Sequence, residues 1–197
     1  MMKNPLSTEA LNQLFTEART HNGWANTPVS DEQIHQIYDL MKMGATSANC
    51  CPARLVFVRS VEAKSRLAAL SDAGNADKVL AAPVTVIIGH DLEFAAKLGE
   101  LFPHDPSAPS WFEEIENRNT TAFRNGTLQG AYLMLATRAV GLDCGPMSGF
   151  NNAAVDAEFF ANTNIKSNFI CSIGVGTDDR QYPRSPRLTF SDAAKIL

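Results

Sequence analysis

Between Gly126 and Val140 the apolar residues Leu128, Ala131, Tyr132, Leu133, Met134, Leu135, Ala136, Ala139 and Val140 occupy most of a helical circumference. A surface helix needs only an apolar stripe, so a helix of this composition has to be covered on every side. The chain has 197 residues, 45% of them apolar, enough for one sizeable core. The pattern predicts a single domain over residues 1–197 built round this central helix, with the helix shared across an interface with a second copy.

The rest of the chain alternates helical and extended signals. Leu11, Leu14, Phe15 and Ala18 fall three and four apart and predict a helix over 7–18. Ser30-Asp31-Glu32-Gln33 has capping-box spacing, and Ile34, Ile37, Tyr38 and Met41 form the stripe of a helix that stops at Gly44. Leu55–Val58, Val84–Ile88 and Phe169–Val175 read as buried strands, and Ser60 caps a helix through Leu70. Gly74-Asn75-Ala76-Asp77-Lys78 reads as a polar loop facing a cleft, and the Pro-rich segment Phe102–Pro109, ending at Trp111-Phe112, reads as a lid.

Charge and composition exclude several classes of partner. The formal charge is −4 and no run of Lys or Arg stands out, so neither nucleic acid nor an anionic membrane surface is expected. Met1–Pro5 carries no apolar stretch of signal-peptide length, and no segment approaches the roughly 20 apolar residues of a membrane span, which predicts a cytoplasmic protein. Cys50, Cys51, Cys144 and Cys171 lack the two-residue spacing of a zinc or dithiol site and are expected as reduced thiols, with no metal. The glycine-rich dinucleotide fingerprint and the phosphate-loop pattern are both absent.

What remains is a dispersed constellation. Gly44-Ala45-Thr46-Ser47-Ala48-Asn49-Cys50-Cys51-Pro52 and Gly145-Pro146-Met147-Ser148-Gly149-Phe150 are turns of small residues where backbone can approach a flat polar ligand. Asn49 and Asn75 offer amides to such a ligand's edge, with Lys78 three residues beyond Asn75. Arg19, Thr20 and Arg187, from opposite ends of the chain, suit a phosphate dianion through charge-assisted bonds. Each also has a plainer reading: solvated surface arginines, ordinary turn residues, glycines that end a helix. Cys50 with His21 or His104 as base would make a nucleophile, against which stands the tendency of free cysteines to sit in cores as small hydrophobes.

Taken in order, Arg19-Thr20-His21-Asn22, Thr46-Ser47-Ala48-Asn49, Asn75 with Lys78, Pro146-Met147-Ser148-Gly149 and Arg187 resemble the nitroreductase family of FMN enzymes over nearly the whole chain. Within it, Thr20–Trp24, Thr46–Cys50, Thr121–Asn125, Gly145–Phe150 and Tyr182–Phe190 are most similar to the branch of malonic semialdehyde reductases of pyrimidine degradation. The resemblance implies an α+β fold in which a small mixed sheet is wrapped by helices, and a homodimer with FMN at its interface. It implies NADH or NADPH as hydride donor and reduction of malonic semialdehyde to 3-hydroxypropionate, with a broad nitro or quinone reductase as the alternative. The implied FMN-binding residues are Arg19, Thr20, Asn22, Thr46, Ser47, Asn49, Cys51, Asn75, Lys78, Met147, Ser148, Gly149 and Arg187. Asn22 stands where many members have a basic residue, Cys51 and Ala53 replace a common Gln and Trp, and Ser185 a frequent Lys, with Arg184 adjacent. For the carboxylate of an acidic aldehyde the candidates are Arg124 and Arg54, each of which could instead form a plain salt bridge.

Overall fold

The computed structural model describes residues 4–197, so the first three residues of the N-terminal stretch read for a signal segment lie outside the described residues. Short α1 (Thr8–Leu11) starts where the Ser7 hydroxyl accepts from the Ala10 N–H at 3.2 Å, and a single π turn over Asn12–Thr16 carries it on. After β1 (Gly23–Trp24) comes α2 (Asp31–Met41), with both halves of the expected capping box formed between Ser30 and Gln33. β2 (Ala53–Val58) leads to α3 (Val61–Ala69), whose first turn the Ser60 hydroxyl caps.

The Gly74–Lys78 segment is α4 (Ala73–Ala81), not a loop. Its small residues pass for a turn in the sequence, while Ala76 and buried Val79 supply a face that packs on the neighbouring core. The helical spacing places Asn75 and Lys78 side by side. β3 (Val84–Asp91) is buried along nearly its whole length. The Pro-rich segment after it is not a free lid. Short α5 (Leu98–Leu101) and two 3₁₀ turns fold it round Phe94, Leu98, Ala108 and Phe112, which close a separate apolar cluster with Cys50 and Ala122.

The central helix, α6 (Ile115–Ala139), begins eleven residues before Gly126, where the Glu114 carboxylate accepts from the Glu116 and Asn117 N–H groups at 2.8 and 2.6 Å. Those bonds hold the Glu114 carboxyl below its ordinary pKa. Arg124 therefore lies in the body of α6 rather than at its head. Its buried residues, Thr121, Ala122, Asn125, Gly126, Gln129, Gly130, Leu133, Ala136 and Thr137, recur three and four apart on one face. Gly126 and Gly130 let that face come close to the sheet: a Cβ at Gly126 would fall 2.8 Å from His90 Cβ, and one at Gly130 would fall 2.4 Å from the Phe169 ring. Within one copy the helix is not covered on every side, since Phe123 is 53% and Leu128 41% exposed.

β4 (Asp143–Met147) contains Gly145 and Pro146, which the sequence placed in a turn; only Ser148–Phe150 turns. α7 (Asn152–Phe159), β5 (Ile165–Gly174), β6 (Gly176–Thr177) and short α8 (Phe190–Ala193) complete the chain. The main sheet has the order β2-β3-β5-β4 and every neighbouring pair in it is antiparallel. The mixed sheet expected from the resemblance is thus absent among the described residues, where the sole parallel pairing is the isolated bridge Thr20↔Cys144. β1 and β6 form a separate antiparallel ribbon. One core lies between α2, α6 and the sheet, around Ile37, Met41, Val86, Ile88 and Leu133; a second, around Leu67, Val79, Ile87, Val155 and Ile170, lies against α3, α4 and α7.

Candidate functional site

β4 organises one half of the site. At its start, Thr20 bridges Cys144 and the His21 N–H donates to the Cys144 carbonyl at 3.0 Å. His21 fixes this approach further, with Nδ1 3.1 Å from the Thr177 carbonyl, to which it can only donate, and Nε2 3.4 Å from Asp143 Oδ1. Asp143 Oδ2 in turn accepts from the Gly176 N–H at 2.9 Å. The N-terminal segment is thereby stapled to both sheets. Arg19, Thr20 and Asn22 line a cavity of about 350 Å³ together with Arg184, Ser185 and Arg187. Arg19 donates to Gln181 Oε1 at 3.1 Å and to the Tyr182 carbonyl, Asn22 to the Arg180 carbonyl at 3.1 Å, and Arg187 to the carbonyls of Ser185 and Pro186. With Arg138, four arginines line this open cavity, and among the described residues no carboxylate does.

At the other end of β4, Met147 is buried in the core and Ser148 is exposed in the turn beyond it. The Gly149 carbonyl accepts from the Asp72 N–H at 3.0 Å and from Asn75 Nδ2 at 3.0 Å, and Lys78 Nζ donates to Asn75 Oδ1 at 3.3 Å. A Cβ on Gly149 would lie 2.6 Å from Asp72 Oδ2 and 2.7 Å from Asn75 Nδ2, so glycine keeps a cradle open there. From Cys144 to Met147 the strand runs about 10 Å, and the turn beyond it carries the chain on to Gly149. The cation cavity and the amide and ammonium cluster thus sit at the two ends of one rail.

The second half stands elsewhere. Thr46 to Cys51 precede β2, the opposite edge strand, and three spacings of about 4.8 Å put that edge roughly 14 Å from β4. Ala48, Asn49 and Cys51 have φ of 48°, 48° and 39°, in the left-handed region. Asparagine tolerates that region, while the other two cost roughly 1–2 kcal/mol each. Within the loop the Cys51 N–H donates to Thr46 Oγ1 at 3.2 Å and the Cys51 thiol lies 3.4 Å from Asn49 Oδ1; Asn49 Nδ2 donates to the Leu101 carbonyl at 2.9 Å. From α6, Asn125 Oδ1 accepts the Ser47 N–H at 2.9 Å and Gln129 Oε1 the Ala53 N–H at 2.8 Å. Sequence reasoning missed Asn125, Gln129 and Asp143. The one available signal was two amides four apart, in line with the buried Ala122, Gly126, Gly130 and Leu133 of the same helix face.

Of the two arginines considered for a carboxylate, Arg54 donates to Asp91 Oδ2 at 2.7 Å and to the carbonyls of Cys51 and Ala53, whereas Arg124 is exposed on α6 and makes no ion pair among the described residues. Cys50 is 1% exposed, and burial pushes its thiol up to about 11, which removes it as a nucleophile. The four cysteines are free thiols. His90 packs edge-on to Phe123 at 5.6 Å and leaves Nδ1 without a partner; its burial lowers the imidazole pKa, Asp156 opposing and Lys166 reinforcing the shift. Among the described residues no helix is long and apolar enough to cross a membrane.

The model of the nitroreductase family matches residues 15–177. The chain belongs to the nitroreductase family. With it the chain joins the oxidoreductases. It is 58% identical over 192 residues to a protein of Caulobacter sp. (strain K31) carrying the name NADH dehydrogenase/NAD(P)H nitroreductase, 98% of each chain being covered. It is 59% identical over 193 residues to one of Ralstonia pickettii carrying the same name with the suffix HadB, over 96% of this chain and 98% of the relative. The fold is that of a nitroreductase from Exiguobacterium sibiricum solved in complex with FMN, with a TM-score of 0.86 at 21% identity over 99% of this chain and 100% of the other. A nitroreductase from Bacillus subtilis superposes with a TM-score of 0.88 at 18% identity, over 97% and 100%.

Proposed function

We propose that this nitroreductase holds FMN along β4, takes hydride from NADH or NADPH, and passes it to a small acidic aldehyde. The observation that carries the reading is the pairing, at the two ends of β4, of an arginine-rich cavity with a glycine cradle flanked by an amide and an ammonium group. The donor set suits the group. Arg19, Arg187 and the Thr20 hydroxyl would hold a phosphate dianion, with Asn22 fixing the adjoining turn. Asn75 and the Ser148–Gly149 backbone would meet the polar edge of the ring, and Lys78 would place positive charge beside it. FMN, when bound, supplies the hydride-carrying centre; the chain binds, orients and keeps water from it.

The loop holding Thr46, Ser47, Asn49 and Cys51 stands on the far edge of the sheet, so the same copy does not close the site with it. A homodimer explains both this and the uncovered apolar face of α6, where Phe123 and Leu128 are exposed. In such a dimer, the loop of one copy would close over the ring held on β4 of the other.

For the substrate, Asp91 already neutralises Arg54, which leaves Arg124 as the group to meet a carboxylate near the mouth of the site. This supports malonic semialdehyde as substrate and 3-hydroxypropionate as product. The names carried by the relatives favour a second reading, a broader nitro or quinone reductase. The test begins with the absorption of the freshly purified protein, where a blue band released as FMN on denaturation is expected; a colourless protein that fails to take up FMN defeats the proposal. NAD(P)H oxidation with malonic semialdehyde, a nitroaromatic and a quinone then separates the two substrates. With Arg124→Ala the KM for the acidic aldehyde should rise roughly tenfold and that for a neutral nitroaromatic hardly at all. Equal rises would remove Arg124 from the carboxylate role.

A further inference from the structure

Residues 46–53 are held at both ends by one helix. Asn125 takes the Ser47 N–H and Gln129 takes the Ala53 N–H, at 2.9 and 2.8 Å. The two amides lie four residues apart on the buried face of α6, one helical turn, so their oxygens present themselves in line along its axis. They are 1% and 2% exposed. A polar side chain buried that deeply is costly unless its hydrogen bonds are used, and hydrophobic residues of similar volume would otherwise pack the same face. Asn125 is fixed as well as used, because its Nδ2 donates to the Thr121 carbonyl at 2.8 Å, which settles which atom faces Ser47.

Between the two clamps run the left-handed residues Ala48, Asn49 and Cys51. Such a backbone persists only where the surroundings over-determine it. Inside the loop the Asn49 and Cys50 N–H groups close a short turn onto the Thr46 and Ser47 carbonyls at 3.0 and 2.9 Å, and Cys51 meets Thr46 and Asn49. From outside, the Leu101 carbonyl holds Asn49 and the two α6 amides hold the ends. We infer that Asn125 and Gln129 are positioning residues that impose this loop conformation from α6 and thereby set the affinity for FMN. The second half of that statement rests on the proposal that the loop closes over FMN; the first half does not. α6 also carries Arg124 on its exposed side, so one helix would align the loop and the substrate carboxylate with respect to each other.

Two measurements on the full-length protein test this. Hydrogen exchange of the FMN-free protein reads the clamp directly. In Asn125→Leu the Ser47 amide, and in Gln129→Met the Ala53 amide, should exchange at least about tenfold faster than in wild type. In Asn125→Asp and Gln129→Glu, measured at a pH low enough to keep the buried acid neutral, the carboxyl keeps an accepting oxygen and an O–H donor in place of the amide N–H, and protection should return. FMN titration of the same proteins, followed by flavin fluorescence, should give a Kd raised about tenfold or more in the first pair and within about threefold of wild type in the second. The Tm of each FMN-free variant shows whether a change in Kd is only a loss of folded protein. Unchanged exchange in Asn125→Leu and Gln129→Met overturns the clamp, as does equal loss of FMN affinity in all four variants. A wild-type protein that fails to bind FMN defeats the cofactor reading and the claim on affinity, while exchange still decides the clamp. If Asn125→Leu does not fold, Gln129→Met and the two acidic variants carry the same comparison.

Discussion

The two edges of the sheet present their functional groups in opposite ways. On the β4 side the cations are held lightly, mostly by neighbouring backbone carbonyls: among the described residues Arg187 bonds only to Ser185 and Pro186, and Arg19, like the neutral Asn22 beside it, reaches for the 180–182 segment. On the β2 side the loop residues are neutral, the one adjoining cation, Arg54, is already paired with Asp91, and the backbone itself is the device, a strained turn locked by buried amides of α6. The first edge can gain much from an anionic ligand, because its cations are not committed to carboxylates. The second gains only by already having its shape, since a neutral loop has little to offer beyond hydrogen bonds in the correct places.

The largest effect should follow from removing charge on the β4 side. Arg187→Ala is expected to weaken FMN binding between about 10- and 100-fold, the range for losing a charge-assisted bond to phosphate. The Tm of the FMN-free protein should hardly change, because Arg187 is exposed and bonded only within its own turn. A titration that finds the same Kd as wild type would break the contrast between the edges, since the cavity would then hold no phosphate.

Gly149→Ala tests the other end of the same strand, and a smaller change is expected. The new methyl would meet the far ends of the Asp72 and Asn75 side chains, which can swing away, so folding should be affected by no more than about 1 kcal/mol. The displaced Asn75 would no longer hold the Gly149 carbonyl or steady Lys78, and the Kd for FMN should rise by roughly fivefold. A large drop in Tm without a change in Kd would mean that the Gly149 cluster serves folding rather than the ligand.

This contrast also explains what the sequence made legible. Periodicity and caps were enough for α2 and α3, where Ser30 and Ser60 cap the helices they were expected to cap, and for the buried strands β3 and β5; β2, expected to be buried, is an edge strand half-buried at all but Val58. They misled where small residues do duty inside regular elements. Gly74-Asn75 begins a helix because Ala76 and Val79 have a core to enter, and Gly145-Pro146 lies in β4 because the edge position leaves the proline without a ladder bond to donate. The charged half of the site was legible because Arg, Lys and Asn announce their chemistry. The clamps were not, because Asn125 and Gln129 differ from core residues only through partners about eighty positions away in the chain, and no local pattern encodes that distance. For the same reason α6 was read as too apolar for one copy while its polar pair went unnoticed.

The smallest expected effect belongs to the neutral edge and has opposite signs in its two readouts. Cys51 has φ of 39°, and its thiol makes only long contacts, 3.4 Å to Asn49 and 3.8 Å to Thr46. In Cys51→Gly the left-handed cost of roughly 1–2 kcal/mol disappears, while the freer unfolded chain returns up to about 1 kcal/mol of that gain. The net stabilisation should be under about 1 kcal/mol, a rise in Tm of about 2 °C for a chain of this length. FMN affinity should nevertheless fall, by about two- to threefold, because a glycine there widens the set of loop shapes from which the bound one must be drawn. A variant that becomes both more stable and tighter for FMN would show that the strain at Cys51 opposes binding. The loop would then have to be regarded as flexible in use, and the distinction between a pre-shaped edge and a charged one would fail at the residue where it is most exposed to test.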